Sequence, residues 1–174
     1  MKKHFQNIII IVFLFFSTNI YASQIKKIEV TGNNRISLET IKMFSKVYIG
    51  QNIVDINLND VLKNLYNSYF FEDVSVELRD DTLIIDVKEA PIIENISFSG
   101  IKAKKIDKEI RSNLLLKSRS SFNNFLLSKD KKNIQNALKN FGYYFSEVET
   151  YITYLEDNKI VIDYKINLGK KSKI

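Results

Sequence analysis

Histidine and cysteine carry out much of the chemistry in protein active sites, and this chain is almost without them. Its 174 residues include one histidine, His4, and no cysteine. Because His4 lies in a segment that we expect to be removed, a Ser-His-Asp or Cys-His set lacks its base. A zinc site would likewise lack imidazole and thiolate ligands. An enzyme built on the remaining residues would depend on carboxylate, lysine or tyrosine side chains.

The adjacent acids Glu72 and Asp73 could form a carboxylate pair for acid–base chemistry. Both lie at the start of a predicted strand, where neighbouring side chains point to opposite faces of the sheet. Their carboxylates would then not converge on one substrate atom. We therefore predict a binding protein that is not an enzyme, with no cofactor and no metal.

The chain is positively charged, but its cations are mostly lysine. It has 26 lysines and arginines against 20 acids, a formal net charge of +6, and only four of the cations are arginine. Bidentate recognition of bases and phosphates prefers arginine, so we expect no nucleic-acid partner. One dense basic run consists of Lys102, Lys104, Lys105 and Lys108. This run is interpreted either as solvated surface charge or as a contact with an anionic membrane surface.

Residues 1–22 have the pattern of a cleavable signal peptide. Two lysines precede the apolar run 8–16, polar residues follow, and the small Ala22 marks the expected cleavage site. The apolar run would extend for about 14 Å as a helix, which is short against a hydrocarbon core of roughly 30 Å. The alternative is that this segment is retained as a membrane anchor.

The remaining chain contains two copies of one unit. Three segments of the first copy recur in order in the second: 28–32 at 96–100, 69–74 at 143–148, and 83–88 at 160–165. The offsets grow from 68 to 74 to 77 residues, which indicates a duplicated unit with insertions in the second copy. The only proline, Pro91, lies at the boundary. We predict domains at 23–91 and 92–169, and at 170–174 a tail or the start of a further domain.

Each copy has hydrophobic residues spaced first for a strand, then for two helices, then for two more strands. This order predicts a β-α-α-β-β unit of the α+β class that ends in a β-hairpin. Helices are predicted to begin after the N-cap residues Ser37, Asn57 and Ser128. Gly142 is expected directly after the last helix.

Several motifs in this repeat carry a family resemblance. They are Ile28-x-Val30-x-Gly32-Asn33 at the first strand, the aromatic and acidic run 69–74, and the exit Val87-Lys88-Glu89-Ala90-Pro91. The repeat resembles the POTRA domain, and the first copy is most similar to POTRA domains of BamA-type outer-membrane assembly factors. The resemblance covers residues 24–169. It implies two tandem domains, each a small three-stranded mixed sheet covered by two helices.

The resemblance also implies how the chain would work. It would be an exported, periplasmic module associated with the outer membrane, and it would bind extended segments by adding them as a strand to an open sheet edge. The implied partners are unfolded outer-membrane proteins, accessory lipoproteins of the assembly complex, and the membrane through a barrel absent from these residues. The alternative function is a membrane-anchored POTRA scaffold of cell division or secretion that keeps residues 8–21.

The second strand of each copy is the edge that the resemblance implies. Its residues are Asp73, Val74, Ser75, Val76, Glu77 and Leu78 in the first copy, and Glu147, Val148, Glu149, Thr150 and Tyr151 in the second. Charged residues on an edge strand also protect it from aggregation. The first of these strands is therefore either a client-binding edge or a protected one. The aromatic runs 69–71 and 143–145 that precede the strands either pack in the core or line a client groove.

Overall fold

The computed structural model describes residues 23–172, so the predicted signal peptide lies outside the described residues. The first unit contains β1 (Lys27–Thr31), α1 (Leu38–Ser45), a 3-10 turn (Ile53–Asp55), α2 (Leu58–Asn67), β2 (Phe71–Arg79) and β3 (Thr82–Glu89). The second contains β4 (Ile92–Ser99), α3 (Lys104–Ser112), α4 (Asn124–Asn140), β5 (Glu147–Leu155) and β6 (Lys159–Asn167). The predicted β-α-α-β-β order and the α+β class are confirmed. Within residues 23–172, no helix is both long enough and apolar enough to cross a membrane.

Each unit has one three-stranded mixed sheet with its last strand in the middle. The strand orders are β1-β3-β2 and β4-β6-β5, with the first strand parallel and the second antiparallel to the central one. In β3, Leu83, Ile85 and Val87 alternate with more exposed residues and are buried. This alternation turns one face of the sheet toward the helices.

The two units have separate hydrophobic cores. In the first, Ile41 of α1 and Leu65 of α2 pack on the buried face of β3. In the second, Ile110 of α3 and Leu138 of α4 pack on β6, together with the buried ring of Tyr164. Full burial of one such aliphatic side chain stabilises the fold by about 1.5–3 kcal/mol. Each sheet is therefore held by its own pair of helices.

The predicted helix starts are right in the first unit and wrong in the second. Ser37 and Asn57 cap α1 and α2 by accepting hydrogen bonds from the backbone of the first turn. The helix predicted to begin after Ser128 begins earlier, because the side chain of Asn123 accepts the Leu126 N–H at 3.1 Å. Ser128 lies inside α4, where its hydroxyl donates to the carbonyl of Asn124. Asparagine and serine are comparable caps, so the pattern alone did not separate the two positions.

The predicted alignment of the final strands is two residues out of register. Val74 pairs with Val87 in the first hairpin, and the equivalent Val148 pairs with Ile166 in the second. The equivalent of Val87 is thus Ile166, at an offset of 79 rather than 77 residues. The error arises because an alternating strand looks the same after a shift of two residues. The second hairpin is consequently longer by two residue pairs, Tyr154 with Ile160 and Leu155 with Lys159.

This extension of the second hairpin reaches the connection between the units, residues 89–92, which we call the joint. The Asn158 side-chain amide donates to the Glu89 carbonyl at 3.0 Å, and the Ile92 N–H donates to the Asn158 carbonyl at 2.9 Å. The joint is also bonded on either side. The Ala90 N–H donates to the Phe70 carbonyl, and the Pro91 carbonyl accepts from the second unit at residue 122. The short connection is therefore held by both units.

Candidate binding edges

Each sheet has two outer strands, and the first strand of each unit is covered near its start. Ile25 exchanges backbone hydrogen bonds of 2.9 and 2.7 Å with residues 50–51. In the second unit, Ile93 exchanges bonds of 2.9 and 2.6 Å with residues 119–120. The chain between the helices thus lies against the first strand in both units. Between residues 23 and 172, no segment covers β2 or β5 in this way, so their outer edges remain available.

The edge of β2 is partly occupied by its own side chains. The Tyr66 hydroxyl accepts the Val74 N–H at 3.1 Å and donates to Asp73 Oδ1 at 2.9 Å. Burial, together with the neighbouring Asp73 carboxylate, raises the pKa of Tyr66, so the hydroxyl keeps its proton. Further along, Ser75 and Glu77 are exposed, as the sequence predicted for the outward face. A strand that pairs with the beginning of β2 must displace this tyrosine.

The edge of β5 carries no comparable side-chain cap. The Tyr151 hydroxyl donates to Glu149 Oε2 at 2.8 Å, which joins two side chains of the strand and leaves its backbone untouched. Apart from the ladder with β6, no hydrogen bond from residues 23–172 reaches the β5 backbone. Its exposed face begins with Glu147 and Glu149 and ends with Thr153 and Leu155. Of the two edges, β5 is the more accessible.

The acids Glu72 and Asp73 do not form a catalytic pair. A β-bulge between Phe71 and Asp73 leaves both carboxylates exposed, but they bind different partners. Glu72 pairs with Lys88 at 3.0 Å, whereas Asp73 binds the Tyr66 hydroxyl. In the part of the chain that the structure describes, no three potential acidic, histidine or cysteine ligands lie close enough together to hold a metal ion.

Family models for POTRA domains match both units. The one described as "POTRA domain, FtsQ-type" matches residues 23–90, and the one described as "POTRA: Surface antigen variable number repeat" matches residues 91–169. The chain belongs to the POTRA family. The predicted resemblance is therefore confirmed.

The POTRA pair is similar to curated proteins that are several times longer. It is 29% identical over 153 residues to the outer membrane protein assembly factor BamA of Neisseria meningitidis serogroup B, covering 86% of this chain and 19% of that protein. It is 26% identical over 175 residues to BamA of Buchnera aphidicola, covering 97% of this chain and 28% of that protein. The chain thus spans less than a third of the length of either relative.

Solved POTRA structures share the fold. The N-terminal domain of Omp85 from Thermosynechococcus elongatus aligns with a TM-score of 0.57 at 16% identity, covering 83% of this chain and 62% of that chain. POTRA1-2 of Omp85 from Anabaena aligns with a TM-score of 0.52 at 14% identity, covering 85% of this chain and 96% of that chain. At these identities the likeness establishes the arrangement of strands and helices.

The aromatic run before the edge strand differs between the two POTRA domains. In the first, Phe71 is buried, and the rings of Phe44 and Phe70 lie 5.5 Å apart. In the second, Tyr144 is half exposed, and 78% of Phe145 is exposed. Of the two interpretations of these runs, core packing is confirmed for Phe71 and wrong for Phe145. The exposed rings instead add apolar surface at the start of β5.

The predicted basic run forms a surface at the start of α3. Lys102 lies in the loop before the helix, while Lys104, Lys105 and Lys108 lie on it, and all four are exposed. None of the four forms an ion pair within residues 23–172. Lys104 and Lys108 are one helical turn apart and therefore share a face.

Each POTRA domain also contains a buried carboxylate whose role is not evident from the sequence alone. Glu89 Oε1 accepts the N–H groups of Asn34, Arg35 and Ile36 at 2.9, 2.8 and 2.7 Å. Burial alone would raise the pKa of Glu89, but these three bonds and the Arg35 charge outweigh it and lower the pKa. Glu89 thereby fixes the loop between β1 and α1 against the joint. The signal that could have found it is an acid two residues before the proline at the boundary.

Asp130 is the buried carboxylate of the second domain, and its pKa shifts in the opposite direction to that of Glu89. It accepts the N–H groups of Leu115 and Leu116 at 2.6 and 2.9 Å, which ties α4 to the end of the α3 segment. Burial raises the pKa of Asp130 by more than these two bonds lower it. No pattern in the sequence marks this residue, because its partners are backbone groups distant in the chain.

Proposed function

We propose that this chain is the periplasmic POTRA module of an outer-membrane assembly factor. It binds unfolded β-barrel clients, and accessory lipoproteins of the assembly complex, by strand addition at β2 and β5. The single observation that supports this most directly is the pair of uncovered edge strands, one in each POTRA domain. The similarity to BamA proteins over most of the chain supports the cellular role. The expected location is the periplasm, next to the outer membrane.

The physical basis of binding is the unpaired backbone of the edge strands. An incoming extended segment gains main-chain hydrogen bonds from the edge, and its alternate side chains meet the helix-covered face. β5 is the main docking edge, because its backbone is not capped. β2 is the weaker one, because Tyr66 and Asp73 occupy its beginning. The two earlier interpretations of β2, a binding edge and a protected edge, thus apply to different parts of one strand.

An NMR titration with strand peptides from a porin tests the proposal. We expect the largest amide shifts at Glu147–Leu155 and smaller ones at Ser75–Leu78. The matched controls are two versions of this peptide with N-methyl groups at alternate residues, one methylated at the odd positions and the other at the even positions. The version whose methyl groups face the protein edge should abolish the shifts, while the version whose methyl groups face away should leave them unchanged. Absence of shifts on both strands would rule out client binding by strand addition.

The Tyr66 hydroxyl provides a second, independent test of the β2 edge. Replacing Tyr66 with phenylalanine removes one of the two acceptors of the Val74 N–H; the other, Asp73 Oδ1 at 3.0 Å, remains. Peptide binding at β2 should therefore strengthen by at most about fivefold, the value of one net hydrogen bond. Binding at β5 should not change. Tyr69→Phe is a suitable control, since this tyrosine is equally exposed and makes no bond to the β2 backbone.

The lysine surface at the start of α3 is proposed to contact the anionic membrane face. Each lysine close to a bilayer contributes about 1 kcal/mol, which falls as salt rises. Sedimentation with anionic vesicles should therefore show binding at low salt that is lost when Lys102, Lys104, Lys105 and Lys108 are changed to glutamine. Equal binding to neutral vesicles would argue against this contact.

The alternative function is a scaffold that remains anchored through residues 8–21. The observation that supports this alternative is the match of the first domain to the FtsQ-type family model. N-terminal sequencing of the exported protein separates the two functions. A mature chain that starts at Ser23 supports the assembly module, and an intact N-terminus supports the anchored scaffold.

A further inference from the structure

The two edge strands meet end to end at the joint. β5 runs toward the joint, since the turn that follows it holds Asn158 against Glu89. β2 begins beside the joint, since Phe70 bonds Ala90, and it then runs away. Both strands have nine residues. An extended segment that pairs with β5 in one orientation therefore arrives at β2 in the same orientation.

A cleft of about 210 Å³ lies where the two edges meet. The first domain contributes Tyr66, Phe71 and Glu72 to its wall, and the second contributes Phe122, Phe125 and Tyr154. Tyr154 exists at this position only because the second hairpin is longer. Three of these rings remain accessible, with 40% of Tyr66, 57% of Phe125 and 71% of Tyr154 exposed. Aromatic surface of this kind gains free energy when a partner covers it.

The outward faces of the two edges have the same sign of charge. β5 begins with Glu147 and Glu149, and β2 carries Asp73 and Glu77. Arg79 pairs with Glu77 at 3.1 Å and Lys165 of β6 lies 3.9 Å from Glu149, so within residues 23–172 the acids without a paired cation are Glu147 and Asp73. The opposite face of each edge strand lies on the helix side of its sheet and is mainly apolar. The partner that complements both strands alternates basic residues on one face with apolar residues on the other.

From these observations we infer that one extended client segment binds β5 and β2 together and places an aromatic side chain in the cleft between them. This inference rests on the proposed strand addition and specifies its partner. Nine residues of strand span about 30 Å, so a segment of roughly 22 residues can run along β5, cross the cleft and the Tyr66-capped beginning of β2, and pair with β2 from Ser75 onward. Joining two weak sites in this way raises affinity without any new contact, because the second half binds intramolecularly.

The test compares a long peptide with its halves on the full chain. The long peptide has about 22 residues, alternates lysine or threonine with valine, and has phenylalanine at its centre; each half has about nine. Fluorescence anisotropy should show the long peptide binding at least tenfold more tightly than either half. NMR of the one-to-one complex should show shifts on β5 and β2 together. Replacing the central phenylalanine with aspartate should remove most of the affinity that the long peptide gains over its halves.

Variants of the protein locate the coupling at the cleft. Tyr154→Ala should weaken binding of the long peptide at least threefold. It should leave binding of the half-length peptide at β2 unchanged. Tyr48→Ala is the matched control, because Tyr48 is 66% exposed but lies on the first domain outside the cleft. Both side chains are on the surface, so the amide spectra should show folded proteins.

The outcomes separate this inference from the proposed function. Equal affinities of the long peptide and its halves, or no effect of Tyr154→Ala, would overturn the joint binding and leave strand addition standing. Shifts on only one edge with the long peptide would do the same. If neither the halves nor the long peptide shifts either edge, both the inference and the proposed function fail.

Discussion

Replacing Glu89 should destabilise the first POTRA domain selectively. Its carboxylate binds three backbone N–H groups within 2.9 Å, and 6% of the residue is exposed. A hydrogen bond to a charged group contributes about 1.5–3 kcal/mol, but the loop 34–36 lies at the surface and water would replace part of the loss. We therefore expect Glu89→Ala to lower the free energy of unfolding by about 3 kcal/mol, and Glu89→Gln by about half of that.

The effect should depend on pH in a definite direction. The pKa of Glu89 is lowered in the folded protein, so its contribution is complete above the carboxyl pKa of the unfolded chain, near 4.3. The contribution is lost as the pH falls through the lower, folded-state pKa. The difference between the wild type and Glu89→Gln should therefore be constant from pH 7 to about 5 and shrink below pH 4.

Urea unfolding followed by circular dichroism measures this difference, and hydrogen exchange assigns it to the first domain. Glu77→Gln serves as the control, since within residues 23–172 this exposed glutamate pairs only with Arg79, and its replacement should leave the unfolding curve unchanged. A pH-independent difference would refute the electrostatic argument. Equal loss of hydrogen-exchange protection in both domains would refute the argument that Glu89 stabilises the first domain selectively.

Further changes test the packing of each domain. Gly32→Ala and Gly100→Ala should each destabilise their own domain by about 2 kcal/mol or more, because both glycines have positive φ and an added Cβ would collide with a carbonyl of the central strand; urea unfolding measures both. Tyr164→Phe should leave the melting temperature unchanged or raise it slightly, because the buried Tyr164 hydroxyl has no hydrogen-bond partner within residues 23–172. The pKa of Asp130 is raised, so its contribution to stability is complete at low pH and is lost as the pH rises through the folded-state pKa. Hydrogen exchange in the second domain of the wild type, compared with Asp130→Asn, should therefore show the opposite pH trend to that of Glu89.

The sequence predicted the features that depend on local periodicity. Alternation predicted the strands, and the helical spacing of apolar residues such as the buried Val61 and Leu65 predicted α2. Register was not accessible in this way, because Ile160 and Ile162 are equivalent in an alternating pattern. The Tyr66 bond to Val74 and the Asn158 bond to Glu89 were also inaccessible, since they depend on how distant elements approach each other. The candidate edges followed from the resemblance, but the difference between a capped β2 and an open β5 required the structure.

The longer second hairpin also determines which bonds its turn can form. The Asn158 side chain reaches the Glu89 carbonyl of the first domain, and the Asn158 carbonyl accepts the Ile92 N–H at the start of β4. In the first unit, the Asp81 carbonyl accepts the Lys26 N–H just before β1 in the same way. Both hairpin turns therefore bond the start of the first strand in their own unit. A second hairpin shortened by two residue pairs would place its turn about 7 Å farther from the joint and lose the bond between Asn158 and Glu89.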